Sequence, residues 1–378
     1  MDTAARGLIA SPTRATVDRF LDARMHGEAD KDGMFRTVER ARELFARLVG
    51  ASPDEIAFVK NVSEGLNAVA TALPWRAGDN LVMCPEVEHP NAVYVALNLR
   101  RRLGIEVRAV PARNGAAPAE ELGAAVDGRT RLVLVSAVSL APGRRVDLEP
   151  LAAACSRHDS LLLVDGAQSV GVLHTDVAAQ GIDALSASTQ KGLLGFYGMG
   201  FLYCRREWAE RLSPVYLARF GVDLGAAHEA AFGGGEFRLQ PGAKRFDVGN
   251  YNYVGATAAE AALDLLLSYG TRRIESYVRG LAEELARGAL AAGLTLSGGE
   301  PGPDLGHIVC LGRLGEGHDI PSDPLLALAH QRLLDAGARL SVRRDCLRLS
   351  LHLYNDRTDV DRVLELLSAF PAPSTAGR

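Results

Sequence analysis

Cysteine is scarce. The chain has 378 residues and five cysteines, Cys84, Cys155, Cys204, Cys310 and Cys346, all far apart. That spacing holds no CxxC pair and no Cys/His cluster, which argues against a structural metal site and a disulfide framework. No apolar run approaches membrane-spanning length, and the opening MDTAARGLIASPT lacks the apolar stretch of a signal peptide. The expectation is a cytoplasmic protein with no membrane partner. Surplus positive charge is also missing. Lys and Arg total 42 against 46 Asp and Glu, a formal net charge of −4, so no basic surface is offered to nucleic acid. The first strand-like run continues as FVKNVSEGLN without a GxGxxG turn, which weakens a nucleotide-binding oxidoreductase reading.

What is present is apolar and periodic. The chain is 47% hydrophobic and 23% charged, enough for a sizeable core. Short apolar runs read as strands: Glu55–Lys60, Leu81–Val87, Glu106–Pro111, Leu132–Val138, Leu161–Ala167 and Gly200–Arg205. Amphipathic stretches such as Pro90–Leu103 and Leu148–His158 alternate with them. Strands alternating with helices predict an α/β fold whose mostly parallel sheet is covered on both faces and places its ligand at the carboxyl ends of the strands. The glycine-rich AFGGGEFRLQPGAKRFDVGN reads either as a surface connection or as an active-site flap around Gly233. One long helix is expected over Val254–Ala291, then a small α+β unit over Leu294–Leu367, then a frayed tail over 371–378.

LLLVDGAQ, Leu161 to Gln168, ends a buried strand on a carboxylate. Burying a carboxylate is costly unless a cation or strong donor meets it. Twenty-six residues on, SASTQKGLLG carries Lys191 between small residues and glycines. A pyridinium nitrogen is a cation that Asp165 could answer, and a lysine amine can form a Schiff base. Together they make the aspartate and lysine pairing of pyridoxal phosphate enzymes. KNVSEGLNAVA follows a strand and opens a helix, so Asn61, Val62 and Ser63 can face an anion.

VDGAQSVG followed by STQKGLLG resembles the class V aminotransferase family, which includes cysteine desulfurases, isopenicillin N epimerase-like proteins and related C–S lyases. The resemblance covers nearly the whole chain. It implies the fold type I architecture: a large domain with a mostly parallel seven-stranded sheet over 21–253, and a connecting helix with a small α+β C-terminal domain over 254–370. An opening segment, 1–20, would lie near the active site. It implies pyridoxal 5′-phosphate as cofactor and no metal. Lys191 becomes the Schiff-base lysine, Asp165 the partner of the ring nitrogen, His89 of the EH motif the residue that stacks on the ring, and Gln168 the donor to the phenolic oxygen. Asn61, Val62, Ser63 and Ser188 become the phosphate cup, with Ser186 set further back. CLRLSLHLYND resembles the family's R-x-S…YN pattern, which makes Arg348 the carboxylate anchor, its guanidinium fork suiting a carboxylate. KRFDVGNYN resembles a segment that reaches the neighbouring subunit's phosphate, so Gly249 and Asn250 imply a homodimer with shared sites. In DTAARG, Arg6 would meet a second anionic or polar group of the substrate.

The chain departs from the desulfurase pattern in three places. Gln190 stands where desulfurases carry histidine, and Leu140 where they place an asparagine. LLDAGARLSVRRDCLRLS leaves no room for a nucleophilic cysteine loop, and Cys346 falls inside a strand beside Arg348. The expected chemistry is aminotransfer or C–S β-elimination on a small amino-acid-type, specialised substrate of secondary metabolism. Epimerisation, decarboxylating oxidative deamination and a non-catalytic cofactor-binding relative are the alternatives.

Overall fold

The computed structural model describes residues 1–225 and 236–368. The flap expected around Gly233 and the tail 371–378 lie outside them. Helices α1 (Ser11–His26) and α2 (Lys31–Val49) precede β1 (Ile56–Val59) and α3 (Val62–Ala72). Then come β2 (Asn80–Met83), α4 (Pro90–Leu103), β3 (Glu106–Ala109), α5 (Ala119–Ala124), β4 (Thr130–Ser136) and α6 (Glu149–His158). β5 (Leu161–Asp165), β6 (Ala184–Ser188) and β7 (Gly200–Cys204) complete the main sheet, followed by α7 (Arg206–Arg211). A short ribbon joins β8 (Val222–Asp223) to β9 (Arg238–Leu239). The rest is α8 (Tyr253–Tyr269), α9 (Thr271–Ala291), β10 (Ile308–Leu311), α10 (Pro324–Asp335), β11 (Ser341–Arg343), β12 (Cys346–Ser350) and α11 (Arg357–Ser368).

The seven-stranded sheet has the order β1-β7-β6-β5-β4-β2-β3, and only β7 runs against its neighbours. The central strands β5, β6 and β7 are buried along their whole length because both faces of the sheet are covered there. Residues of alternate parity part to opposite sides. Leu162, Val164, Val133 and Val135 join one core cluster, whereas Leu161, Leu163, Leu132 and Leu134 join the other, with Leu66 and Val69 of α3 and Val95 of α4. Asp165 therefore falls on the α3/α4 side, and the carboxyl ends of β1, β2, β4, β5 and β6 share one edge.

Two expectations change. β6, ALSAS, is a strand that hydrophobicity alone hides, because its alternate positions are serines. The expected single helix Val254–Ala291 is two helices broken at Gly270, whose φ of +82° lies in the left-handed region that interrupts a right-handed helix. β10, β12 and β11 form a separate three-stranded antiparallel sheet.

Candidate active site

A cavity of about 290 Å³ opens at the carboxyl ends of the strands. Cavities of about 510, 700 and 770 Å³ lie elsewhere, but only this one gathers Asp165, Lys191, His89 and the N-termini of α3 and α4. Asn61, Val62, Ser63, Gln168 and Ser188 line it too. Ser186 does not; it is buried against α3, its hydroxyl donating to the Val62 carbonyl at 3.2 Å.

Local sequence explains each placement. Asn61 caps α3 by accepting from Glu64 N at 3.0 Å. The capping leaves the first amides of that helix facing the cavity, where the dipole favours an anion. His89 caps α4, its Nδ1 accepting from Asn91 N at 3.1 Å, and Pro90 starts the helix. With Nδ1 accepting, the proton of the neutral ring sits on Nε2. Burial, with Lys191, Arg348 and Arg343 nearby, holds His89 below its ordinary pKa.

Asp165 ends β5, and its Oδ1 accepts from Ala167 N at 2.8 Å. Burial pushes its carboxyl up, opposed by that amide and by Lys191. Burial pulls the Lys191 amine down; Asp165 opposes this, while Arg348 and Arg343 add to it. A deprotonated amine is thus easier to reach than on an exposed lysine. The Gln168 side chain donates to the Ala4 carbonyl at 3.0 Å, and its buried Oε1 has no partner among the described residues.

Arg348 lies on β12, 1% exposed, outside the lining of the cavity but within electrostatic reach of Lys191. Its Nε donates to Ser341 Oγ at 3.0 Å and an Nη to the Leu140 carbonyl at 3.3 Å. Burial pulls its pKa down to about 10. Leu140 also lines the cavity, so one residue borders the site and holds the arginine.

Arg6 is not brought into the cavity. The Ala4 carbonyl accepts from Gln168 and Gly7 N donates to the Gln190 carbonyl at 2.8 Å. With the backbone on both sides of it tied inward, the Arg6 side chain is exposed and lines the 770 Å³ cavity instead. Gly249 and Asn250 are also exposed and away from the site. Their loop stands out because Asp247 is pinned at its base. Asp247 accepts from the buried Arg42 at 2.8 Å, from Phe58 N at 2.8 Å and from the Tyr251 hydroxyl at 2.8 Å.

All five cysteines are buried, and none lines the cavity. β11 and β12 are joined by Arg344 and Asp345 alone, both with positive φ, the geometry of a two-residue hairpin turn. Burial pushes the Cys346 thiol up.

Sequence reasoning missed Glu88, Asn91, Arg343, Tyr197 and His352. Glu88 is the first residue of the EH motif and Asn91 lies two residues past its histidine, so both could have been found by asking what else that helix start presents. Arg343 is visible only through the register, which sets Ser341 opposite Arg348 and puts Arg343 two residues along the same face.

The family model for aminotransferase class V matches residues 22–363. The chain is 28% identical over 365 residues to an uncharacterized aminotransferase, YcbU, of Bacillus subtilis, covering 97% of this chain and 92% of that one. It is 36% identical over 251 residues to a probable cysteine desulfurase of Methanothermobacter thermautotrophicus, covering 66% of this chain and 60% of the relative. In fold it is similar to the cystine C–S lyase C-DES, solved with its product cysteine persulfide, with a TM-score of 0.84 at 23% identity over 98% of this chain and 97% of that one. A family match spanning most of the chain, at a site assembled as described, makes this protein a member of the class V aminotransferase family.

Proposed function

We propose that the chain is a pyridoxal phosphate enzyme acting at Cα of an amino acid, as an aminotransferase or a C–S β-lyase. The observation that carries this is a buried carboxylate, Asp165, and a half-buried amine, Lys191, facing one cavity beside two helix N-termini. The residues fit the cofactor: the buried Oε1 of Gln168 has no partner among the described residues, Asp165 stands buried at the cavity beside Lys191, and α3 turns its N-terminus to the same space. Asn61, Val62, Ser63 and Ser188 would hold the phosphate, Gln168 the phenolic oxygen, His89 the ring face and Asp165 the ring nitrogen. When bound, pyridoxal phosphate supplies an electron sink for a carbanion at Cα.

The chain's own groups do the rest. Arg348 takes the substrate carboxylate with its planar fork. Lys191, its amine favoured in the neutral form by burial, takes the Cα proton as general base. Asp165 stays ionised once a cation faces it, because the opposite charge offsets its desolvation. Gly249 and Asn250, projecting from the Asp247 anchor, would reach the site of a second copy in a homodimer.

The chain does not work through a persulfide on its own cysteine. Support comes from the buried thiols and the two-residue Arg344–Asp345 turn. Leu140 and Gln190, both lining the cavity, favour a specialised substrate over cysteine.

The test is to incubate the loaded enzyme with a panel of amino acids, with and without a 2-oxo acid acceptor. Transfer of the amino group to the acceptor supports aminotransfer. Acceptor-independent release of a thiol, pyruvate and ammonia supports β-elimination. Exchange of the Cα proton with inversion alone, or loss of CO₂, would replace both by an epimerase or a decarboxylating enzyme.

A further inference from the structure

The carbonyls of Gln190, Lys191 and Gly192 are each taken by a different donor. Gly7 N takes the first at 2.8 Å, Leu194 N the second at 3.1 Å, and the His352 ring nitrogen Nε2 the third at 2.8 Å. Only the third donor is a side chain. We propose that His352 is a positioning residue for Lys191, its Nε2–H holding the Gly192 carbonyl and tying the lysine's backbone to the strand that carries Arg348.

The ring is oriented for this from several sides. His352 is fully buried two residues beyond the end of β12. Its Nδ1 accepts from Leu353 N at 2.7 Å, which leaves the proton on Nε2, and its own backbone N donates to Asn355 Oδ1 at 3.1 Å. The ring stacks on Tyr354 at 5.3 Å and 11°, and the Tyr354 hydroxyl meets Thr3 Oγ1 at 2.5 Å. On the far side of the loop, the backbone of Gly171 packs so closely on the Gly192 carbonyl that any side chain at 171 would collide with it. The Gly192–Leu193 peptide, one residue beyond Lys191, is therefore in contact with both Gly171 and His352.

A leucine would fill the position without desolvating an imidazole, so a buried histidine needs a polar reason. Burial takes its pKa down to about 4, so the ring is neutral and donates at physiological pH. The titratable group beside it is His307, which immediately precedes β10 and itself feels Arg348 and Lys191. Arg348 and His352 are four residues apart in the chain, so this bond links the segment that carries Arg348 to the residue after Lys191.

The proposal rests on reading Lys191 as the reacting amine, and the experiment separates the two. His352→Leu and His352→Gln are compared with wild type in the full chain by amide hydrogen exchange without cofactor, and by pH titration of the visible band after loading with pyridoxal phosphate. In H352L, amides of Leu193 to Gly195 should exchange at least about tenfold faster while the sheet is unchanged. Its band midpoint should move by about one pH unit, because the Lys191 nitrogen would no longer be held in the same place and surroundings in the cavity. H352Q, whose amide can donate to the same carbonyl, should restore both. Wild-type exchange at this segment in H352L, uniform loss of protection throughout, or H352Q behaving as H352L would overturn the proposal. A wild-type protein with no visible band would instead sink the Lys191 reading, and the exchange arm would still decide the tie.

Discussion

Glu88 accepts from both the backbone amide and the hydroxyl of Ser136, at 2.9 and 2.5 Å, one strand away from Asp165. Burial pushes its carboxyl up to about 7, and the nearby charge of Asp165 adds to the shift. The folded protein thus holds this proton more tightly than the unfolded chain. The stability it contributes is full below the unfolded value near 4.5 and is lost as pH rises through about 7. Glu88→Gln should flatten the fall in Tm between pH 5 and 8. Parallel Tm profiles for the two proteins would contradict this.

Asn91 donates to Ser63 Oγ at 2.6 Å, tying the N-terminus of α4 to that of α3. Removing the tie should loosen the anion site by the worth of one hydrogen bond, about 1 kcal/mol, or about fivefold in affinity. The dissociation constant of Asn91→Ala for pyridoxal phosphate reads this directly, and an unchanged constant would count against the phosphate assignment.

Much of this site was legible in the sequence, and the reasons are local. Asp165 could be read because it interrupts an apolar run, and Asn61 because it caps a helix right after a strand. Lys191 gained meaning only from being paired with Asp165. β6 was hidden because its serines suppress the apolar signal, and the break at Gly270 because periodicity continues across it. Arg343 and His352 depend on contacts between distant parts of the chain, which spacing cannot show. Arg6 illustrates the converse: its segment reaches the site, but the side chain turns outward.

Arg348→Lys keeps a positive charge but loses the fork. Its KM for a turned-over amino acid should rise about 10- to 100-fold, with a smaller effect on kcat, as expected for loss of one bidentate pair. A fall in kcat at constant KM would place the carboxylate elsewhere.

Cys346→Ala should leave turnover within about twofold of wild type and cost about 1 kcal/mol of stability, since the thiol is packed in the core. Abolished turnover in a folded Cys346→Ala protein would restore a sulfur-transfer reading.

The most direct measurement is the visible spectrum of wild type and Lys191→Ala, each titrated with pyridoxal phosphate. Wild type should develop a saturable band that responds to amino acids, and Lys191→Ala should not form it. A Lys191→Ala protein with the wild-type band, or a wild type that takes up no cofactor, would contradict the account and leave Asp165 facing some other cation.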